Sequence, residues 1–85
     1  MVMSDSQITI YGASWCGPCH MTKGYLDSIK VKYNYFDVEQ DPAKGLEALE
    51  KSGQRGIPVI DIDGEVVVGF DRYTIDTLLK SHNLA

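Results

Sequence analysis

The 85-residue chain lacks the marks of a membrane protein, a disulfide-rich protein and a nucleic-acid-binding protein. Its longest apolar runs, such as Val66–Val68, fall far short of the ~20 residues that a membrane-spanning helix needs. Two cysteines are too few for a disulfide scaffold. The 8 basic residues form no cluster among 12 acidic ones, which argues against nucleic acid as a partner. No basic segment followed by an apolar one opens the chain, so we expect no signal peptide and a soluble, cytoplasmic protein.

What is present is typical of one small globular domain over residues 1–85, which we expect to be a monomer. Apolar residues make up 44% of the chain and charged residues 24%. Apolar periodicity and turn signals predict the element order β-α-β-α-β-β-α. The predicted strands are Gln7–Tyr11, Tyr33–Val38, Ile57–Ile62 and Glu65–Val68, and the predicted helices run from Gly17 to about Ile29, from Pro42 to Gly53 and onward from Asp71.

These elements predict an α/β fold in which three helices pack on a mixed four-stranded sheet. A helical crossover joins the first two strands, so they should be parallel. Asp63-Gly64 is a tight-turn dipeptide, so the last two strands should form an antiparallel hairpin. Asp41 followed by Pro42 predicts a helix start, and Asp71 is a second candidate cap. The apolar face of the first helix is predicted to hold four residues: Met21, Tyr25, Leu26 and Ile29.

Both cysteines lie in one short segment, Cys16-Gly17-Pro18-Cys19, directly after the first strand. A bridge between them closes a very small loop and stabilises the fold little, so redox chemistry is the better explanation for the pair. A Cys-x-x-Cys after a strand in a β-α-β pattern is typical of a redox site. Cys16 would lie at the helix start, where free N–H groups and the helix dipole stabilise a thiolate. Cys19, one turn further on, would be the more protected thiol.

Metal and haem sites are weaker interpretations of the same motif. A structural zinc needs four ligands, and there is no second cysteine pair. Cys16 to His20 also fits the haem-attachment pattern C-x-x-C-H, but that chemistry normally accompanies export. We therefore expect no metal, and no bound cofactor beyond glutathione as a candidate co-substrate.

The segment Trp15-Cys16-Gly17-Pro18-Cys19 matches the active-site motif of thioredoxins. The rest of the chain resembles glutaredoxins, in its length, in its single N-terminal β-α-β unit and in Ser52–Val59. At Gly69-Phe70, after the predicted hairpin, the chain resembles the glutaredoxin-like proteins that donate electrons to ribonucleotide reductase. The resemblance covers roughly Gln7–Leu79. It implies a thioredoxin/glutaredoxin fold. Iron–sulfur binding across a dimer occurs among glutaredoxins, but the stiff Gly-Pro insert disfavours it here.

The resemblance also implies roles for individual residues. Cys16 would be the nucleophile and Cys19 the resolving cysteine, and Pro58 would be the cis-proline that faces them. Ile57 would offer its backbone to an extended substrate segment. The remaining substrate-binding candidates are Trp15, Pro18, Gly69 and Phe70. Each also has a structural interpretation: Trp15 and Phe70 as core residues, Pro58 as a strand-entry residue and Gly69 as a backbone requirement. His20 is expected to be a partly exposed helix residue.

Two departures from the family patterns bear on the chemistry. Thioredoxins carry a buried acid six positions before the first cysteine, where this chain has Ile10, so the resolving thiol needs another base or bulk water. Pro18 replaces the aromatic residue that glutaredoxins use for glutathione, which weakens glutathione recognition. The residues still able to contact glutathione are Gln54, Arg55 and Asp71.

The sequence thus predicts an enzyme, a dithiol–disulfide oxidoreductase that reduces protein disulfides through Cys16 and Cys19. A flavoenzyme of the thioredoxin reductase type is the expected electron donor, with glutathione as the alternative. A redox-inert adaptor that uses the fold to hold a partner is the alternative from another class, and the intact cysteine pair argues against it.

Overall fold

The computed structural model describes residues 7–84, so the segment in which a signal peptide was sought lies almost wholly outside the described residues. The element order is the predicted one, β-α-β-α-β-β-α. The elements are β1 (Ile8–Gly12), α1 (Gly17–Ser28), β2 (Asn34–Asp37), α2 (Pro42–Ser52), β3 (Val59–Ile62), β4 (Glu65–Val68) and α3 (Arg72–Ser81).

The four strands form one mixed sheet in the order β2-β1-β3-β4. β1 and β2 are parallel, with Ile10 opposite Tyr35 in the register. β3 is antiparallel to both β1 and β4. The predicted mixed sheet and its hairpin are therefore confirmed. The carboxyl end of β1 leads directly into the cysteine segment and α1.

Local signals set the ends of several elements as predicted. α2 begins at Pro42 directly after Asp41. Asp63 and Gly64 have φ angles of 51° and 96°, the left-handed values that a two-residue type I′ hairpin turn requires. Asp71 caps α3, because its side chain accepts a hydrogen bond from the N–H of Thr74.

Each face of the sheet carries its own core. Ile10 lies in the larger core with Leu26 of α1 and Leu79 of α3. The next residue, Tyr11, points to the other face, where it packs with Ala48 of α2 and Val59. This alternation along β1 puts α1 and α3 on one face and α2 on the other. The cysteine segment forms the cap and the first turn of α1.

Two expectations about element boundaries and faces are wrong. Ile57 lies outside β3, which begins only at Val59 after a cis Ile57–Pro58 peptide bond. The buried residues of α1 are Cys19, Thr22 and Leu26. Met21 is 57% exposed because it lies on the opposite side of the helix from Cys19 and Leu26. No helix within residues 7–84 is long and apolar enough to cross a membrane.

Candidate active site

The cysteine pair lies where β1 passes into α1. Cys16 is the N-cap of the helix with an extended backbone, and its N–H donates to the carbonyl of Ala13 at 3.1 Å. Gly17 and Pro18 form the first helical positions, and Cys19 follows in the same turn. Cys16 and Cys19 are joined by a disulfide, with their Cα atoms 5.2 Å apart. The two cysteines therefore lie at the start of a helix and close enough to form a redox pair, as the sequence predicted.

The start of α1 favours negative charge on Cys16. The Sγ of Cys16 accepts a hydrogen bond from the backbone N–H of Cys19 at 3.2 Å, which is the bond that a capping side chain makes. The first turn contains no acidic residue. A thiolate formed here would face free N–H groups and the positive end of the helix dipole.

The two cysteines differ in exposure in the predicted order. Cys16 is 4% exposed and Cys19 is fully buried. Both belong to a small apolar cluster with Ala13, against which Ile57 packs. Ile57 thus lies beside the disulfide, as the resemblance implies. Cys16 is therefore the more accessible of the two cysteines.

Pro58 follows Ile57 through the cis peptide bond and is almost fully buried. Its carbonyl accepts a 2.8 Å hydrogen bond from the N–H of Gly69, the residue that follows β4. Gly69 has φ of 83°, which an L side chain rarely adopts, so this position needs glycine. Gly69 therefore positions the proline segment from the neighbouring strand.

The remaining substrate-binding candidates separate into exposed and packed residues. Trp15 is 66% exposed, and Pro18 is also exposed, so both lie on the rim of the site. Phe70 packs instead against the larger core, with its ring 6.1 Å from that of Tyr25. The exposed rim of the site therefore contains Trp15 and Pro18, whereas Phe70 packs against the larger core.

Two of the three candidate glutathione contacts are used within the chain. The Nε2 of Gln54 donates to Ser52 Oγ at 3.1 Å and to the Gly56 carbonyl at 3.0 Å, and its Oε1 accepts from the Gly56 N–H. Asp71 accepts from both the N–H and the hydroxyl of Thr74, and these bonds lower the pKa of its carboxyl. Only Arg55 is exposed without a hydrogen bond or ion pair to residues 7–84.

A groove with a volume of about 470 Å³ opens between α2 and the segment before Pro58. Leu46 and Leu49 line it on the helix side, and Arg55 and Ile57 line it on the loop side. Ile57 therefore contacts both the cysteine cluster and this groove. A segment of a bound molecule extending from the disulfide would reach mainly apolar surface with one cation at its edge.

Side chains of α1 also hold the cysteine segment in place. An imidazole nitrogen of His20 lies 2.6 Å from the carbonyl of Ser14, and Thr22 donates to the carbonyl of Pro18 at 2.8 Å. His20 is exposed, as expected. No group of three or more metal-binding side chains occurs among residues 7–84.

Two residues beside the cysteines were not identified from the sequence as parts of the site. A Cβ on Gly12 would lie 2.5 Å from the hydroxyl oxygen of Tyr35 and 2.9 Å from the Sγ of Cys19. The sequence alone gives Tyr35 no role in the site. The position of Tyr35 opposite Ile10 in the register could have identified it as part of the site. A strand that pairs in parallel with β1 must bring one of its side chains beside Ile10, where thioredoxins carry a buried acid.

Comparison with known proteins places these features in context. The family model described as Glutaredoxin matches residues 8–67. A glutaredoxin-like 8.6 kDa protein of Clostridium pasteurianum is 38% identical over 86% of this chain and 97% of its own length. The crystal structure of the thioredoxin-like protein BC3987 superposes with a TM-score of 0.80 at 36% identity, covering 85% of this chain and 99% of that one. The NrdH-redoxin of Escherichia coli has a TM-score of 0.74 at 31% identity, covering 84% and 92%.

Proposed function

The chain belongs to the glutaredoxin family, whose members are thiol–disulfide oxidoreductases, and from that membership we propose that it reduces protein disulfides and is re-reduced by a thioredoxin-reductase-type flavoenzyme. The observation that carries the proposal is the Cys16–Cys19 disulfide at the start of α1. A pair placed there can hold two electrons as a dithiol and give them up as a disulfide.

The proposed reaction proceeds by two exchanges. The Cys16 thiolate attacks one sulfur of the substrate disulfide, so that the substrate S–S bond breaks, one substrate thiolate leaves and a mixed disulfide forms. The Cys19 thiolate then attacks the Sγ of Cys16. The second substrate thiolate leaves, and the Cys16–Cys19 bond forms. Two electrons pass to the substrate, and its two thiolates take up protons equal in number to those that the cysteine thiols released.

Cys16 is the better candidate for the first attack. It is the less buried of the two cysteines, and its sulfur accepts the N–H of Cys19. Cys19 has no exposed surface, so it can meet only a sulfur already attached to Cys16. We expect the pKa of the Cys16 thiol to lie below the ordinary value of ~8.5, because helix N-termini stabilise thiolates.

The backbone of Ile57 is the proposed docking point for an extended substrate segment. Within residues 7–84, no hydrogen bond engages its N–H or C=O. Its side chain packs on the cysteine cluster and lines the adjoining groove. A segment paired with this backbone would pass the disulfide and continue along the groove, with the exposed Trp15 on the rim.

The choice of electron donor follows from the groups left free around the site. Gln54 is used in local hydrogen bonds, which leaves Arg55 to meet a carboxylate of glutathione. Asp71, the candidate for the glutathione amine, already accepts two hydrogen bonds from Thr74. Pro18 offers no aromatic ring between the cysteines. The similar E. coli NrdH-redoxin is described as a glutaredoxin-like protein with a thioredoxin-like activity profile. These observations favour a flavoenzyme over glutathione.

A coupled assay with two donors tests the proposal. Insulin disulfide reduction is followed with NADPH and thioredoxin reductase, and separately with glutathione and glutathione reductase. We expect turnover with the flavoenzyme and little with glutathione, and loss of both in Cys16→Ser. Arg55→Ala is the matched control, expected to reduce only the glutathione rate. Faster turnover with glutathione would overturn the donor assignment, and no turnover with either donor would overturn the proposed reductase activity in favour of an adaptor.

A further inference from the structure

The hydroxyl of Tyr35 reaches from β2 to the buried side of the disulfide. Its oxygen and the Sγ of Cys19 lie 2.5 and 2.9 Å from one point in space, the place that a Cβ on Gly12 would occupy. The Tyr35 oxygen and the Cys19 Sγ are therefore no further apart than the sum of those two distances. Because residue 12 is glycine, no side chain of β1 stands between the two groups.

This hydroxyl is buried without a hydrogen-bond partner, and it is the one side-chain polar atom of that kind among the described residues. A buried hydroxyl left without a partner destabilises the fold, so such a group calls for a functional explanation. The neighbouring sulfur is a weak acceptor in the disulfide and becomes a strong one as a thiolate. The missing partner is therefore expected to appear when the disulfide is reduced.

We propose that the Tyr35 hydroxyl donates a hydrogen bond to the Sγ of Cys19 in the reduced protein and stabilises the thiolate that resolves the mixed disulfide. This role rests on the proposed disulfide exchange. The apolar cluster that holds Cys19 contains Ala13 and Cys16, with Ile57 packed against it, and of these only Cys16 is ionisable. Tyr35 thus supplies a buried polar group close to the Sγ of Cys19.

Burial and the charge of Asp37 keep Tyr35 protonated, so it acts as a donor. Burial raises the pKa of its phenol, and the negative charge of Asp37 on the same strand raises it further. On α1, the Nζ of Lys23 lies 4.4 Å from the centre of the ring. Tyr33, also near β2, is itself protonated, with its pKa raised to about 12 by burial and by its hydrogen bond to Asp27. The Cys19 proton therefore leaves to water or to the departing substrate thiolate.

Titration of Cys19 alone tests the proposal directly. In the Cys16→Ser background Cys19 is the only thiol, and its thiolate is followed by ultraviolet absorbance against pH. Tyr35→Phe removes one hydrogen bond to a thiolate and is expected to raise the Cys19 pKa by about one unit. Tyr33→Phe is the matched control, because it removes a phenol bonded to Asp27 and should leave the Cys19 pKa unchanged. In the Cys19→Ser background, Tyr35→Phe should leave the Cys16 pKa unchanged.

A second substitution tests the same hydrogen bond in the opposite direction. Site-specific fluorotyrosine at position 35 keeps the ring and makes the hydroxyl a stronger donor, so the Cys19 pKa should fall. Tyr35→Phe should also slow resolution of a preformed mixed disulfide about threefold near neutral pH, since a tenfold loss of thiolate is partly offset by greater nucleophilicity. Unchanged Cys19 pKa values in both variants, or equal shifts at Cys16 and Cys19, would overturn the proposal.

These outcomes are separate from those of the proposed function. Wild-type reduction of insulin together with an unmoved Cys19 pKa would reject the role of Tyr35 and leave the reductase activity standing. A Cys19 pKa that shifts in Tyr35→Phe, when the wild type shows no reductase turnover, would reject the reductase activity and leave the hydrogen bond from Tyr35 to Cys19 standing.

Discussion

The backbone N–H of Cys19 donates to the Sγ of Cys16 across 3.2 Å, so the second cysteine of the motif helps to bind the sulfur of the first. This bond depends on both residues belonging to one helical turn, with Cys16 as the cap. A thiolate accepts such a bond more strongly than a disulfide sulfur does. The geometry of the oxidised protein thus already contains the environment that favours ionised Cys16.

Charge placed in the first turn of α1 should change the reactivity of Cys16. Gly17 is exposed, with open space where a side chain would begin. Gly17→Glu brings a carboxylate beside the sulfur and is expected to raise the Cys16 pKa by about 0.5–1 unit. Gly17→Gln is the uncharged control of the same shape. The rate of alkylation against pH measures both, and coinciding profiles would contradict an electrostatic origin.

Asp71 should matter for stability and not for glutathione. Its carboxylate caps α3 through Thr74, and those hydrogen bonds lower its pKa. Its contribution is therefore present above the pKa of the unfolded carboxyl and is lost as pH falls through the lower folded value. Asp71→Ala should lower the urea midpoint near neutral pH, and Asp71→Asn should restore most of it. A fall in glutathione-dependent turnover for Asp71→Asn, at unchanged stability, would assign the residue to ligand binding.

Much of the fold was predictable because its signals are local. Asp41-Pro42, Asp63-Gly64 and Asp71 each act on the few residues that follow, and each marks a boundary where the structure has one. The order of elements then left few ways to form a mixed sheet, and the predicted arrangement was confirmed.

The residues alone predicted the site only as far as the cysteine motif extends, and the cis bond before Pro58 was predicted from the family resemblance. Cys16 and Cys19 are close in sequence, and a helix fixes their relation. Tyr35 meets Cys19 only because β1 and β2 pair in one register, and a shift of one residue would turn the ring to the other face. The hydrogen bonds that Gln54 makes within its own loop also depend on the backbone conformation of that loop, which the pattern of side chains in the sequence does not determine.

His82 should stabilise the hairpin only while it is protonated. Its ring nitrogens lie 2.5 Å from Glu65 and 3.2 Å from Asp63, and the hydrogen bond to Glu65 raises its pKa. The contribution is complete below the unfolded pKa of ~6.5 and is lost as pH rises through the raised folded value. The stability difference between wild type and His82→Gln, measured by urea unfolding, should shrink as pH rises above the unfolded pKa of ~6.5 and through the raised folded pKa. His20→Gln serves as the control, and a difference that does not change with pH would contradict the ion pair.

Removing either of two phenol hydroxyls should have opposite effects on stability. Tyr11 donates to Glu47 and accepts from Lys51 Nζ at 2.7 Å, whereas the Tyr35 hydroxyl has no partner in the oxidised protein. Tyr11→Phe should cost about 1–2 kcal/mol, because it removes hydrogen bonds to charged groups. Tyr35→Phe should leave the oxidised protein as stable or more stable. Urea unfolding of the two variants, with the Cys16–Cys19 disulfide oxidised and then reduced, measures the contrast. Equal losses of stability in Tyr11→Phe and Tyr35→Phe would show that ring packing decides the effect.

A methyl group on Gly12 should destabilise the protein less when the Tyr35 hydroxyl is removed. The added Cβ would lie 2.5 Å from that oxygen and 2.9 Å from the Sγ of Cys19, so one of the two groups must move. Overpacking of this kind costs about 1–3 kcal/mol. In the double variant Gly12→Ala with Tyr35→Phe the closer contact is gone, so the combined loss should be smaller than the sum of the single losses. Urea unfolding of the four proteins closes the cycle, and additive losses would place the clash at Cys19 alone.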